Sequence, residues 1–216
     1  MKKYKAILFD LDGTLADTCE GVYASVRYAA EKEGLPEADD ALLKKFIGPP
    51  LHQTFRTEYG LSEEDVDKAV ASFREFYGRE GVYMCTPYEG MDKLLISLKS
   101  AGYKIGTATY KREDYAKALL KKKLPDVFDV IHGADPEGKL TKADIVEMVI
   151  SELGADRAET VLIGDSFYDA EGAAAAGVDF IAVTYGFGFK TNADAAKYPT
   201  VGCCGSTGEL AELFGI

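Results

Sequence analysis

The sequence has no tryptophan and only two histidines, His52 and His132. A mechanism that needs one histidine as nucleophile and a second as acid has little to draw on. The four cysteines, Cys19, Cys85, Cys203 and Cys204, show neither zinc-ligand spacing nor a disulfide-framework pattern, so they read as reduced thiols of a cytoplasmic protein. Long hydrophobic runs are also missing. Three lysines precede or close the stretch Met1 to Lys5, but the apolar run behind them covers only Ala6 to Phe9. That is too short for a signal peptide or a membrane span. Positive charge is scarce: 25 Lys and Arg against 36 Asp and Glu give a formal net charge of -11. Such a surface repels nucleic acid and anionic lipid, and neither is expected as a partner. It repels a phosphorylated substrate too, so any site for one must be locally positive through a metal ion, lysines or backbone N–H groups.

What is present is an ordinary globular balance, 47% hydrophobic and 28% charged over 216 residues, enough for a large core. Tyr4 to Phe9 is an unbroken apolar run that stops at Asp10. Similar runs recur at Tyr103–Ala108, Val127–His132, Val161–Gly164 and Phe180–Thr184. Helix-like stretches separate the later ones, at Gly90–Ser100, Glu113–Lys122, Ala143–Leu153 and Ala170–Gly177. Unbroken rather than alternating hydrophobicity marks strands covered on both faces, and the alternation predicts an α/β fold with a doubly wound parallel sheet. Between Leu15 and Thr86 the pattern becomes helical without strands: Val22, Val26 and Ala29, then Leu42, Leu43 and Phe46, then Val66, Val70, Phe73 and Phe76. Turn signals divide these segments at 34–36, 48–50 and 60–62, and Ser62 followed by three acids predicts a helix start. A helical unit over 16–86 is thus expected inside a core of 1–15 and 87–216.

In open parallel sheets ligands bind beyond the carboxyl ends of the strands. Asp10, Asp12, Gly13 and Thr14 follow the first strand. Thr109, Tyr110 and Lys111 follow the second. Lys139 and Lys142 precede the Ala143–Leu153 helix, and Asp165 and Asp169 follow Gly164. Four carboxylates gathered at one edge repel one another unless a cation intervenes, and Mg²⁺ is the hard cation that commonly links carboxylates to phosphate. With it, Asp10 is placed to attack phosphorus, and Asp12 to protonate the leaving oxygen and later activate water. Thr109 would hydrogen-bond a phosphoryl oxygen, and a lysine would balance transition-state charge. Gly13, Thr14, Tyr110 and Lys111 are the candidate substrate-binding residues. His52, Gln53 and Arg56 on the helical unit could instead recognise the rest of the substrate, although plain surface roles suit them as well.

Asp-Leu-Asp-Gly-Thr at 10–14 resembles the nucleophile motif of the haloacid dehalogenase superfamily. Thr109 matches its second motif, a lysine of Gly-Lys-Leu-Thr-Lys at 138–142 its third, and Gly164-Asp165 through Asp169 its fourth. For the third motif Lys142 is favoured because it opens the following helix, with Lys139 the alternative. The resemblance extends over essentially the whole chain, and within the superfamily the sequence is similar to the phosphoglycolate phosphatase-like branch. It implies a core with an inserted helical cap, and Mg²⁺ held by Asp10, the Asp12 carbonyl, Asp165 and, through water, Asp169. It further implies hydrolysis of a small phosphorylated metabolite, phosphoglycolate- or nucleotide-like. A sugar-phosphate phosphomutase on the same core is the alternative reading, and a phospho-accepting signalling module a more distant one. Whether the protein is a monomer or a homodimer is left open.

Overall fold

The computed structural model describes residues 4–216, and Met1, Lys2 and Lys3 of the lysine-bearing start lie outside the described residues. The chain divides into two compact units, one made of residues up to Asp17 with Pro87–Ile216, the other of Thr18–Thr86.

Strand β1 (Ala6–Phe9) opens the α/β unit and is followed by the two-residue β2 (Ala16–Asp17). The helical unit then contributes α1 (Cys19–Lys32), α2 (Asp40–Lys44), α3 (Leu51–Tyr59) and α4 (Glu63–Arg79). Its interior holds Val22, Val26, Ala29, Leu43, Phe55, Val66, Val70 and Phe73, all buried. The Ser62 hydroxyl accepts the Asp65 N–H and caps α4, while Glu63, Glu64 and Asp65 complement the helix dipole. Helix α3 was not legible as a periodic segment. It is short, and only Thr54 and Phe55 are buried in it.

The α/β unit resumes at β3 (Thr86–Pro87), and β2 and β3 form a separate two-stranded ladder. Then come α5 (Met91–Ser100), β4 (Lys104–Arg112), α6 (Glu113–Lys123), β5 (Val130–Ala134) and α7 (Lys142–Leu153). The chain ends with β6 (Thr160–Gly164), α8 (Phe167–Ala176), β7 (Asp179–Val183), α9 (Asn192–Ala195), β8 (Gly202–Cys204) and α10 (Thr207–Phe214). The main sheet has six strands in the order β5-β4-β1-β6-β7-β8, every ladder parallel. From β1 the chain builds outward on one side through β4 and β5, then crosses back to β6 on the other. The strand order therefore reverses about β1, and a crevice is expected at its carboxyl end.

The register sets the site at that end. Phe9 lies opposite Thr107 of β4 and Ile163 of β6, and the Asp10 N–H donates to the Ile163 carbonyl at 2.9 Å. Ala6 and Leu8 join a buried cluster with Ile145, Val146 and Val149 of α7 and Ala170 and Ala173 of α8. Ile7 and Phe9, which strand alternation sends to the other face, are also fully buried. Both faces of β1 are covered, which is why its sequence is unbroken apolar.

Several boundaries differ from the sequence expectation. β1 starts at Ala6 rather than Tyr4, because Tyr4 turns its hydroxyl to Asp179 at 2.8 Å. β4 continues past Ala108 to Arg112, its ladder with β5 interrupted between Ala108 and Arg112. Thr109, Tyr110 and Lys111 thus sit in that irregular stretch, not after the strand. β5 starts at Val130 rather than Val127: the Asp129 carboxylate accepts the Ile105 N–H and binds Lys99, which ends the preceding turn. α8 begins at Phe167 rather than Ala170, with Ser166 and Asp169 forming a capping box. β8 and α10 carried no long apolar run and were not anticipated.

Leu8→Ala is expected to destabilise the protein by about 2–5 kcal/mol, because the site is packed on both sides and cannot collapse. Denaturant melts at constant slope measure this loss.

Candidate active site

Asp10 leaves β1 into a tight loop. The Leu11 carbonyl accepts N–H groups from Thr14, Leu15 and Ala16 at 3.2, 2.9 and 3.2 Å, and the Gly13 N–H returns to Ala16. Gly13 has φ 82, where an L side chain is strained. A Cβ there would also overlap the Asp165 carboxylate.

Around this loop the structure gathers three buried acids. Asp10, Asp165 and Asp169 each offer a carboxylate oxygen, and these lie within 4.8 Å of one another. Lys142, the first residue of α7, reaches in from the side. Its Nζ is 2.7 Å from Asp10 Oδ1 and 2.6 Å from Asp169 Oδ1, and its side chain is 3% exposed. Room for the lysine stem comes from Gly172 on α8, where a Cβ would overlap Lys142 Cγ. Of the two candidate lysines, then, Lys142 enters the cluster. Lys139 is exposed, and its N–H caps the Asp135 carboxylate in the preceding loop.

The second acid of the loop, Asp12, points elsewhere. It pairs with Lys111, Nζ to Oδ2 at 2.9 Å, and the lysine side chain is only 6% exposed. Thr109 is buried, and its hydroxyl oxygen accepts the Lys111 N–H at 3.1 Å. Tyr110 accepts the Lys142 N–H on its hydroxyl at 2.8 Å, holding the first turn of α7. Thr14 is fully buried and its Oγ1 has no hydrogen-bond partner. Its carbonyl accepts the Tyr185 hydroxyl at 3.0 Å, and it takes no part in the contacts joining the acids and Lys142. His52, Gln53 and Arg56 lie on α3, where Arg56 pairs with Glu63 and His52 faces Asp67 at 3.7 Å. His132 is bracketed by Glu113 and Glu152 at 3.0 and 2.8 Å, a hydrogen-bonded cluster joining β5, α6 and α7.

One supporting loop was missed by sequence reasoning. After β7, the N–H groups of Phe187 and Gly188 donate to Asp165 Oδ2 at 2.6 and 2.9 Å. The Phe189 N–H donates to the Asp165 carbonyl at 2.7 Å. A Cβ on Gly186 would meet the same carboxylate. The alternation Tyr-Gly-Phe-Gly-Phe was the available signal, since glycine permits the close backbone approach that an anion needs.

Electrostatically the cluster is unbalanced. Burial, joined by repulsion from Asp169 and Asp12, outweighs the Lys142 ammonium and raises the Asp10 pKa well above the usual carboxylate range. Burial and the charges of Asp169 and Asp10 raise Asp165 likewise, against the pull of its two N–H donors. Burial acts to lower the Lys142 pKa, but Asp10 and Asp169 together outweigh it and keep the ammonium charged. Were all three carboxylates ionised, the one ammonium would leave two negative charges, matched by a single divalent cation.

The family model described as haloacid dehalogenase-like hydrolase matches residues 7–183. The chain belongs to the haloacid dehalogenase-like hydrolase family. A 5'-nucleotidase of Pseudomonas aeruginosa is 36% identical over 93% of this chain and 91% of its own. The tyrosine-protein kinase PtkA of Mycobacterium tuberculosis is 32% identical over 97% of this chain and 72% of its own. A crystal structure of a predicted phosphatase from Clostridium acetobutylicum superposes with a TM-score of 0.88 at 34% identity, covering 99% of this chain and all of the other. The chain is a phosphatase of that family. No helix among the described residues is long and apolar enough to cross a membrane.

The charge excess has a measurable consequence. Asp10 and Asp165 hold protons in the folded, metal-free protein that the unfolded chain has already released, so stability falls as pH rises from the ordinary carboxylate range past neutrality. In EDTA, the unfolding free energy at about pH 8 is expected to lie below that at about pH 5 by on the order of a few kcal/mol. Asp165→Asn should flatten this dependence and raise the melting temperature at the higher pH.

Proposed function

We propose that the protein is a Mg²⁺-dependent phosphomonoester hydrolase of the cytoplasm, working through a phosphoryl group carried on Asp10, with the helical unit as its cap. The observation that carries the reading is the cluster of three buried carboxylates, Asp10, Asp165 and Asp169, which the single ammonium of Lys142 offsets only in part. The residues fit a hard cation: the donors are oxygens, and the raised pKa values of Asp10 and Asp165 are what such acids show when no cation is beside them. Asp10, Asp165 and the Asp12 carbonyl would hold Mg²⁺, with Asp169 behind them. Bound there, it neutralises carboxylate charge and the charge of the phosphoryl oxygens.

Asp10 is the nucleophile. Lys142 holds its Oδ1, leaving the other oxygen to form a bond to phosphorus as the bond to the ester oxygen breaks. Asp12 delivers a proton to the departing oxygen, and its pair with Lys111 opens to let the acid carry that proton. In the second half Asp12 takes a proton from water. The water oxygen bonds to phosphorus, and the bond to Asp10 breaks to release phosphate and restore the carboxylate. Thr109 hydrogen-bonds a phosphoryl oxygen. Lys142 turns its charge toward the phosphoryl group as negative charge spreads over it. The substrate class is a small phosphorylated metabolite, and the nucleotidase among the relatives supports a phosphomonoester.

Purified protein is expected to release inorganic phosphate from small monoesters with Mg²⁺, to stop in EDTA and to recover on Mg²⁺ addition. Asp10→Asn should reduce release to assay background while circular dichroism stays unchanged and the intact mass excludes reversion to Asp. Normal turnover by that variant removes Asp10 from its role. Phosphoryl return to a sugar phosphate would instead favour a mutase. Transfer of label from ATP to protein tyrosine would favour the activity in the mycobacterial relative's name.

A further inference from the structure

Three aromatic rings stand beside the phosphoryl site, and the proposed hydrolysis uses none of their faces. Tyr110, on the irregular end of β4, is 37% exposed; Phe167, the first residue of α8, is 41% exposed. Tyr168 is half-buried between them, its ring 5.7 Å edge-on from Tyr110 and 3.9 Å from Phe167, centroid to centroid. The sheet order puts β1 between β4 and β6, so the Tyr110–Tyr168 contact spans the end of the strand that carries Asp10.

The distance to the chemistry is short. Lys142 Nζ, 2.7 Å from Asp10 Oδ1, is 5.6 Å from the centroid of the Tyr110 ring. Only Ser166 separates Phe167 from Asp165. The ledge is also rigid. The Tyr110 hydroxyl is tied to the Lys142 N–H at 2.8 Å, and the two α8 rings follow a helix start closed by Ser166 and Asp169. With its hydroxyl engaged, Tyr110 offers the exposed part of its ring rather than its polar tip. Large exposed apolar side chains among the described residues are few, and two of the six stand here. Fixed rings, two of them with exposed surface, beside a charge-binding centre suit a flat, uncharged partner, since stacked or edge-on aromatic pairs gain beyond their buried area. A purely aliphatic or sugar group would gain only the area.

Resting on the phosphatase reading, the geometry points to a phosphomonoester whose alcohol side carries a planar aromatic ring, held on Phe167, Tyr168 and Tyr110. A nucleobase and a simple aryl group share this chemistry.

The test separates the ring from the chemistry by measuring binding. Full-length protein carrying Asp10→Asn, in Mg²⁺, is titrated calorimetrically with benzyl phosphate and cyclohexylmethyl phosphate, which match in size and reach but differ in aromaticity. Benzyl phosphate should bind about threefold to tenfold more tightly. The preference should collapse in Phe167→Leu/Tyr168→Leu and return in Phe167→Tyr with Tyr168 restored. A second pair, adenosine 5'-monophosphate and ribose 5-phosphate, distinguishes a nucleobase from a simple aryl group: preference in this pair marks the former, preference in the benzyl pair alone the latter. Equal binding within both pairs, no binding by any of the four, or a preference that survives the double leucine variant overturns the ledge. Hydrolysis of the same esters by the unsubstituted protein is read separately. Phosphate release without aromatic preference defeats the ledge and keeps the phosphatase, whereas aromatic preference in binding without release defeats the phosphatase and keeps the ledge.

Discussion

The Lys142 ammonium, closed in between Asp10 and Asp169, is the contact on which the arrangement of the carboxyl edge depends. Removing an ion from water costs several kcal/mol, and the attraction between buried charges offsets that only when the remaining lone pairs and protons are also satisfied. Here the surroundings are built to do so. Asp165 receives two backbone N–H groups from the loop after β7, and Asp169 receives the N–H and hydroxyl of Ser166. Space is made by omission. Gly13 and Gly186 leave room for the Asp165 carboxylate, Gly164 for that of Asp169 and Gly172 for the Lys142 stem. The pattern of glycines is a cast of the charged cluster, so a methyl group at any of these positions would displace a charge and not merely crowd a core.

The parallel sheet makes this cluster local. Its six strands run in one direction, so their carboxyl ends share one edge, and β1 lies where the strand order reverses. Phe9 sits level with Ile163, which sends Asp10 and Asp165 off neighbouring strands within a residue of the same height. Acids about 150 residues apart in sequence thus meet through register alone, without a loop having to find them. Lys142 comes from α7, the helix packed on the other side of Leu8 through Ile145, Val146 and Val149. The same apolar contacts that hold the sheet together therefore aim the lysine.

This explains which parts could be read in the sequence. Strands covered on both faces are unbroken apolar runs, and acids at their ends stand out because burial excludes charge one residue earlier, as at Phe9-Asp10 and Gly164-Asp165. The capping signal at Ser62 was legible because a hydroxyl three residues ahead of an acid satisfies free N–H groups locally. Lys142 was favoured over Lys139 because it opens the following helix, but the room its stem uses comes from Gly172, thirty residues further on and on a different helix, which the motif does not show. The Phe187 and Gly188 contribution was hidden in another way. It comes from backbone N–H groups, which every residue but proline carries, so side-chain identity hardly marks it. Thr14 stood in a recognisable motif, yet its buried hydroxyl makes no hydrogen bond. A motif position specifies a loop shape more firmly than it specifies a side-chain contact.

The overall charge of -11 bears on what such a site can accept. Long-range repulsion acts on every anion that approaches, and it grows with the anion's charge, while the attraction of the site falls off within about a Debye length, roughly 8 Å at physiological ionic strength. A polyphosphate or a phosphorylated acidic peptide meets the repulsion with several charges and can place only one phosphate in the pocket. A monoester with an uncharged remainder meets it with the least charge that still provides a phosphoryl group. The acidic surface and the uncharged aromatic ledge therefore act in the same direction. One disfavours ligands with charge beyond the reacting phosphate, and the other offers contact to a remainder that has none. Selectivity of this kind needs no positively charged recognition groove, which agrees with a chain that keeps its few buried lysines, Lys111 and Lys142, for the carboxylates themselves.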